Sequence, residues 1–166
     1  MQLAEVDFDV WLPADLLRLD ELMHREFETA AKHTAVQGAD RLRHKIVEGG
    51  AVASSALLNS IDWEVDEEGY DLAAVIFSTE QHAVWVEEGR GPGPVPVGPI
   101  IEWMMDKGIT PRDGDTLEQA AHAIANHIAK TGFEGRHYFE TTLDEMESIA
   151  IEAIERAVAR INRRLS

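Results

Sequence analysis

Apolar and polar positions alternate in two stretches of the chain and recur at helical spacing in several others. Val6-Asp7-Phe8-Asp9-Val10-Trp11-Leu12 alternates apolar side chains with acids, the period of a half-buried strand. Pro13 ends that run and suits the first turn of a helix. From there Leu16, Leu19, Leu22, Phe27 and Ala30 mark an amphipathic helix to about Lys32. Helical character resumes from Gln37 to Glu48, and Gly49-Gly50 stops it. Ile61-Asp62-Trp63-Glu64-Val65 alternates again, and an acidic turn leads into Leu72-Ala73-Ala74-Val75-Ile76-Phe77, a second hairpin arm. The run Ala83 to Glu87 suits a short strand or one turn of helix equally well.

Downstream the pattern is helical. Ile100 to Lys107 reads as a short apolar helix closed by Gly108. Thr116-Leu117-Glu118-Gln119 has the form of a capping box, in which hydroxyl and carboxamide satisfy the free amides of a helix start. That helix runs through Ala121, Ile124, Ala125 and Ile128 to Gly132. A long last helix begins at Tyr138 or Thr142 and reaches Leu165, with acids early and Arg156, Arg160, Arg163 and Arg164 late, complementing the helix dipole. The predicted fold is α+β: a small antiparallel sheet of three to four strands packed with N-terminal and C-terminal helices. A chain of 166 residues is expected to form a single domain over 1–166.

Between the two halves lies Gly89-Arg90-Gly91-Pro92-Gly93-Pro94-Val95-Pro96-Val97-Gly98-Pro99. Four prolines and four glycines in eleven residues exclude a helix interior or a central strand, so 89–99 is a long loop. Charge divides at the same place. Residues 1–88 carry 19 acids and 6 bases, a net of −13, while 89–166 carry 12 and 9, a net of −3. A total of −16 repels phosphate backbones and disfavours general nucleic-acid binding. No apolar stretch approaches the ~20 residues of a spanning helix, and the first residues have no signal-peptide pattern. A soluble protein made in the cytoplasm is expected.

Candidate chemistry is sparse. The absence of cysteine removes disulfides, thiolate catalysis and Cys-ligated zinc. His122 and His127 stand five residues apart on a helix, about 500° of rotation, so they point ~140° away from each other instead of converging on a metal. A metal-dependent hydrolase built on them is the enzymatic alternative. Glu87-Glu88 abuts Trp85 and the loop, where an interface or loop-anchoring role outweighs acid/base work. Ser54, Ser55 and Ser60 have no nucleophile elbow. Prolines 92 and 94 remove amide donors that a phosphate loop would need. No catalytic, cofactor-binding or metal residues are assigned. The acidic N-terminal half leaves a further alternative, a small cytosolic module that binds a basic partner.

The order of motifs is more specific than any one of them. Ser55-Ala56-Leu57-Leu58-Asn59-Ser60-Ile61, a hairpin, and then His82-Ala83-Val84-Trp85-Val86-Glu87-Glu88-Gly89-Arg90-Gly91-Pro92 resemble the tail-completion or head–tail-joining proteins of long-tailed bacteriophages. The apolar helix ending in Lys107-Gly108-Ile109, the helix from Thr116 and the Gly135-Arg136-His137-Tyr138-Phe139 segment continue the likeness, over about 15–160. His82 stands where the family has Tyr, and Arg90 where it has a small residue. The resemblance implies a structural virion protein without enzymatic activity or cofactor. Such a protein assembles as a ring with copies of itself, against tail-tube or connector proteins, and DNA is at most passing cargo. The interface residues expected on this reading are Trp85, Glu88, Gly89, Arg90, Gly91, Pro92, Pro94 and Trp103.

Overall fold

The computed structural model describes residues 14–49, 55–69, 71–112 and 114–166. The strand expected over 6–12 lies outside them. Ten elements follow in order: α1 (Ala14–Glu48), α2 (Ser55–Ser60), β1 (Ile61–Glu68), β2 (Asp71–Ser78), α3 (Ala83–Glu88), β3 (Gly89–Arg90), α4 (Gly98–Asp106), α5 (Leu117–Thr131), β4 (Phe133–Glu134) and α6 (Tyr138–Leu165). The architecture is α+β, and among the described residues four strands form two separate antiparallel ladders, β1–β2 and β3–β4. Ala83 to Glu88 resolves as helix.

The break expected after Lys32 is absent, for α1 is one helix of 35 residues. The reason is tertiary. His33 to Val36 carries no strong helix former beyond Ala35, yet α6 lies antiparallel along this stretch, where Thr34, Ala35, Gly38 and Ala39 are buried. Packing of that face outweighs weak local propensity. Small residues set the spacing: Ala30 meets Ala153 and Ala157, and at Gly38 a Cβ would stand 2.5 Å from the Met146 sulfur. Near one end of the pair the Glu26 carboxylate, only 7% exposed, accepts from Arg160 at 2.6 Å and lies 3.4 Å from Arg164. Further along, Glu145 of α6 receives Lys45 at 2.8 Å and Arg41 at 3.3 Å. The arginine stripe of the last helix thus serves the helix pair as well as its own dipole, with Arg156 on Glu152 at 2.6 Å.

The β1–β2 hairpin lies against α1. Its register runs from Ile61↔Ser78 to Glu68↔Asp71, and Gly69, at φ 66°, takes the positive dihedral that tight hairpin turns require. Arg43 of α1 donates to the Ile61 carbonyl at 2.5 Å, and His24 sits 3.3 Å from Glu67 near the turn. Leu42 and Ile46 of α1, Leu57 of α2, Ile61 of β1, Ala83 of α3 and Tyr138 of α6 form the main core. A second cluster, Ile100 and Met104 with Ala121 and Ala125, joins α4 to α5. Asp106 at the end of α4 accepts from both the amide (2.7 Å) and the hydroxyl (2.6 Å) of Ser55, which fastens this second layer to α2.

Several carboxyls are held below their ordinary range by these bonds: Glu26 by its hydrogen bond from Arg160, Asp106 by that from Ser55, Glu145 by that from Lys45 and Glu28 by that from Lys32. A carboxyl that ionises more readily folded than unfolded adds stability above the unfolded pKa, near 4. That stability disappears as pH falls through the lower folded values. Thermal unfolding followed from pH 6 to pH 3 is therefore expected to fall steeply below about pH 4. Glu26→Gln should flatten part of that slope.

Candidate subunit interface

The proline loop begins where α3 meets α6. Glu87, in the last turn of α3, places its two carboxylate oxygens on the first free amides of α6: Phe139 N at 2.8 Å and Glu140 N at 2.9 Å. The N-cap residue of α6, His137, supplies no side-chain cap and adopts a left-handed φ of 52°, so the cap comes from another element. Backbone bonds reinforce it, from Arg136 N to Val86 O at 2.9 Å and from His137 N to Glu87 O at 3.2 Å. Glu87→Ala should cost about 1 kcal/mol, the usual worth of an N-cap, read as a lower urea midpoint. Glu87→Gln, which keeps one acceptor, should fall between.

Beyond α3 the chain enters β3, paired with β4 as Gly89↔Glu134 and Arg90↔Phe133. Three glycines allow this approach. Cβ atoms at Gly89, Gly132 or Gly135 would collide with the backbone of the facing segment, for Gly135 the last turn of α3, and Gly89 and Gly132 also hold φ of 82° and 67°. The Arg90 guanidinium lies over the Trp85 ring, 4.5 Å from its centroid, and donates to the Pro94 carbonyl. One of its nitrogens is buried without a partner. Gly93 N donates to Ala129 O at 2.9 Å, tying the loop to α5. Eleven residues that are mostly glycine and proline are thereby held in one shape.

The loop roofs a cavity of about 470 Å³. Trp85, Val95, Pro96, Ile100, Ile128 and Phe133 supply most of its apolar wall, and Phe133 is 40% exposed at its mouth. A volume of this size admits a large side chain or a short peptide segment. His82 also lines it, with Nδ1 3.3 Å from Glu80 and a buried Nε2 that has no partner. Its side chain is 18% exposed. His137 is more than half exposed.

Of the predicted interface residues, Trp85, Glu88, Gly89, Arg90, Gly91, Pro92 and Pro94 form one continuous surface, with Glu88, Gly91, Pro92 and Pro94 exposed. Trp103 stands apart. It packs into the α4–α5 cluster beside Val95 and Val97, its indole nitrogen buried and unpartnered. Phe133, Ile128 and His82 were not among the interface residues expected from the sequence; only the Gly132-Phe133 step after a helix stop hinted at Phe133.

His122 and His127 are both exposed on α5, and neither belongs to a cluster of three ligand-bearing side chains among the described residues. Glu87, His137 and Glu140 do approach within 4.8 Å of one another. Both Glu87 oxygens are engaged by helix amides, however, and His137 Nδ1 lies 3.1 Å from Glu140. The group is a helix cap. None of the described helices is long and apolar enough to cross a membrane.

No curated protein and no solved structure matches the chain. A family model does. Residues 16–89, from the first turn of α1 to the first residue of β3, match the HK97-gp10-like family, described as "Bacteriophage HK97-gp10, putative tail-component", so the likeness to phage tail proteins read in the motifs holds over α1, the hairpin and α3.

Proposed function

We propose that this chain is a structural subunit of a bacteriophage tail, placed at the tail end or the head–tail connector, where copies join into a ring. The observation that carries this is the match of residues 16–89 to a phage tail-component family. The geometry supports the finer reading. A glycine- and proline-rich loop is pinned by β3–β4, by Arg90 on Trp85 and by the bond from Gly93 to Ala129, and it roofs an apolar cavity. A pre-shaped loop loses little entropy when it docks. Packing of the loop face of one subunit against a different face of the next is a head-to-tail contact, the kind that closes rings. The partners are further copies and tail-tube or connector proteins, and the location is the virion.

The test is made in particles. With the gene deleted, assembly should stop at tails and heads that fail to join or tails that lack their terminus, and the intact protein supplied in trans should restore joining. Particles complete and infectious without it would end the proposal. Trp85→Ala and the exposed Pro92→Asp should each lower incorporation while leaving the helical spectrum unchanged. If DNA passes through the ring, the net charge of −16 provides a wall it does not adhere to. Lysine in place of lumen-facing acids should then slow ejection.

A further inference from the structure

Head-to-tail contacts need two different faces on one chain, and the cavity under the proline loop supplies one that is concave and apolar. A convex apolar face stands elsewhere, on α6. Ile151, Ile154 and Val158 are exposed there, large hydrophobics though they are. At ~100° per residue they fall within an arc of about 60°. That arc lies about 110° round the helix from Ala153 and Ala157, which are buried with Ala30 of α1. The α1–α6 pairing therefore leaves a ridge outside its own seam. Its spacing of i, i+3 and i+7 is the one by which an amphipathic helix seats in an apolar groove.

We propose that this ridge of α6 fills the cavity under the proline loop of a second copy of the chain. The inference deepens the ring reading above and rests on it for ring closure, not for the contact itself. Charge agrees with it. Glu147 lies in line with the ridge and Glu155 on one flank, both exposed. Arg136 lines the cavity and is exposed as well. Among the described residues no cation pairs with either glutamate, and no carboxylate pairs with Arg136. Glu134 shares the cavity wall, so like-charge repulsion seats the acidic flank on the Arg136 side. The same subunit cannot supply the ridge. Arg136 stands two residues before α6 begins at Tyr138, whereas the ridge lies about 20–30 Å further along that helix. A partner that offers the ridge at one face and the cavity at another is a further copy, and the contact then repeats from subunit to subunit.

The chain has no cysteine, so single substitutions report one contact each. Phe133→Cys protein mixed with Ile154→Cys protein and treated with a short bismaleimide should give a dimer that neither gives alone. Pro96→Cys, exposed on the same cavity wall, takes the place of Phe133→Cys if that variant loses its helical spectrum. Arg136→Glu in the cavity partner should lower the yield, and Glu147→Lys with Glu155→Lys in the ridge partner should restore it. Equal dimer from one variant alone, or a yield indifferent to the charge changes, overturns the proposal. So does the absence of product both in the mixture and in particles carrying the two cysteines on one chain. Incorporation of that doubly substituted chain without cross-links refutes the contact and leaves the tail placement standing. Dimers from a protein that particles do not take up would end the tail placement and leave the contact.

Discussion

Gly132→Ala is expected to release the proline loop from the strand that holds it. The residue holds φ at 67°, and an added Cβ would meet the Arg90 carbonyl and the Gly91 backbone across the ladder. Neither neighbour can move aside as a flexible side-chain end could, because both are main chain. Positive-φ strain and the collision together should cost about 2–4 kcal/mol, a large share of a domain's net stability. The loss should be local in character. The amides of Gly93 and Arg136, bonded to Ala129 and Val86, should exchange faster, while the α1–α6 pair keeps its protection. A urea titration gives the magnitude, and exchange followed by mass spectrometry gives the place. If the subunit joins a ring through its loop, the same variant should be poorly incorporated into particles.

Leu42→Ala should be the most damaging truncation in the core. Leu42 is 0% exposed and sits among Ile46, Leu57, Ile61 and Tyr138, where α1, α2, β1 and α6 converge. Removing three carbons there leaves a cavity that four elements would have to collapse to fill. The expected cost is about 2–5 kcal/mol, read from urea or thermal unfolding. Leu143→Ala provides the control. That residue is 56% exposed on α6, so its truncation should change stability by less than about 0.5 kcal/mol.

Where local chemistry decides structure, the sequence was readable. The capping box at Thr116 forms as its residue types require, with Gln119 N to Thr116 Oγ1 at 3.2 Å and Thr116 N to Gln119 Oε1 at 2.8 Å. Gly132 ends α5, Gly49 follows the end of α1, and the hairpin alternates burial from Ile61 to Asp66 as its pattern demands. Where distant segments decide, it was not. Continuity of α1 through His33 to Gln37 depends on a helix more than a hundred residues later. Glu87 looked like one of two adjacent acids, and nothing within ten residues says that it caps α6. The loop was legible because its glycines and prolines exclude a helix interior and a central strand. The cavity beneath it was missed, because Ile128 and Phe133 reach it only through the β3–β4 pairing of residues more than forty positions apart.

The close passage of Gly38 beneath Met146 makes the long helix pair vulnerable to oxidants. The thioether is 5% exposed and rests where no side chain stands on the opposing helix. Conversion to the sulfoxide would add a polar oxygen inside a gap sized for bare sulfur, leaving it without a donor and prising the two helices apart. A preparation exposed to peroxide should lose its helical pairing in step with modification of this one thioether, and leucine at 146 should confer resistance.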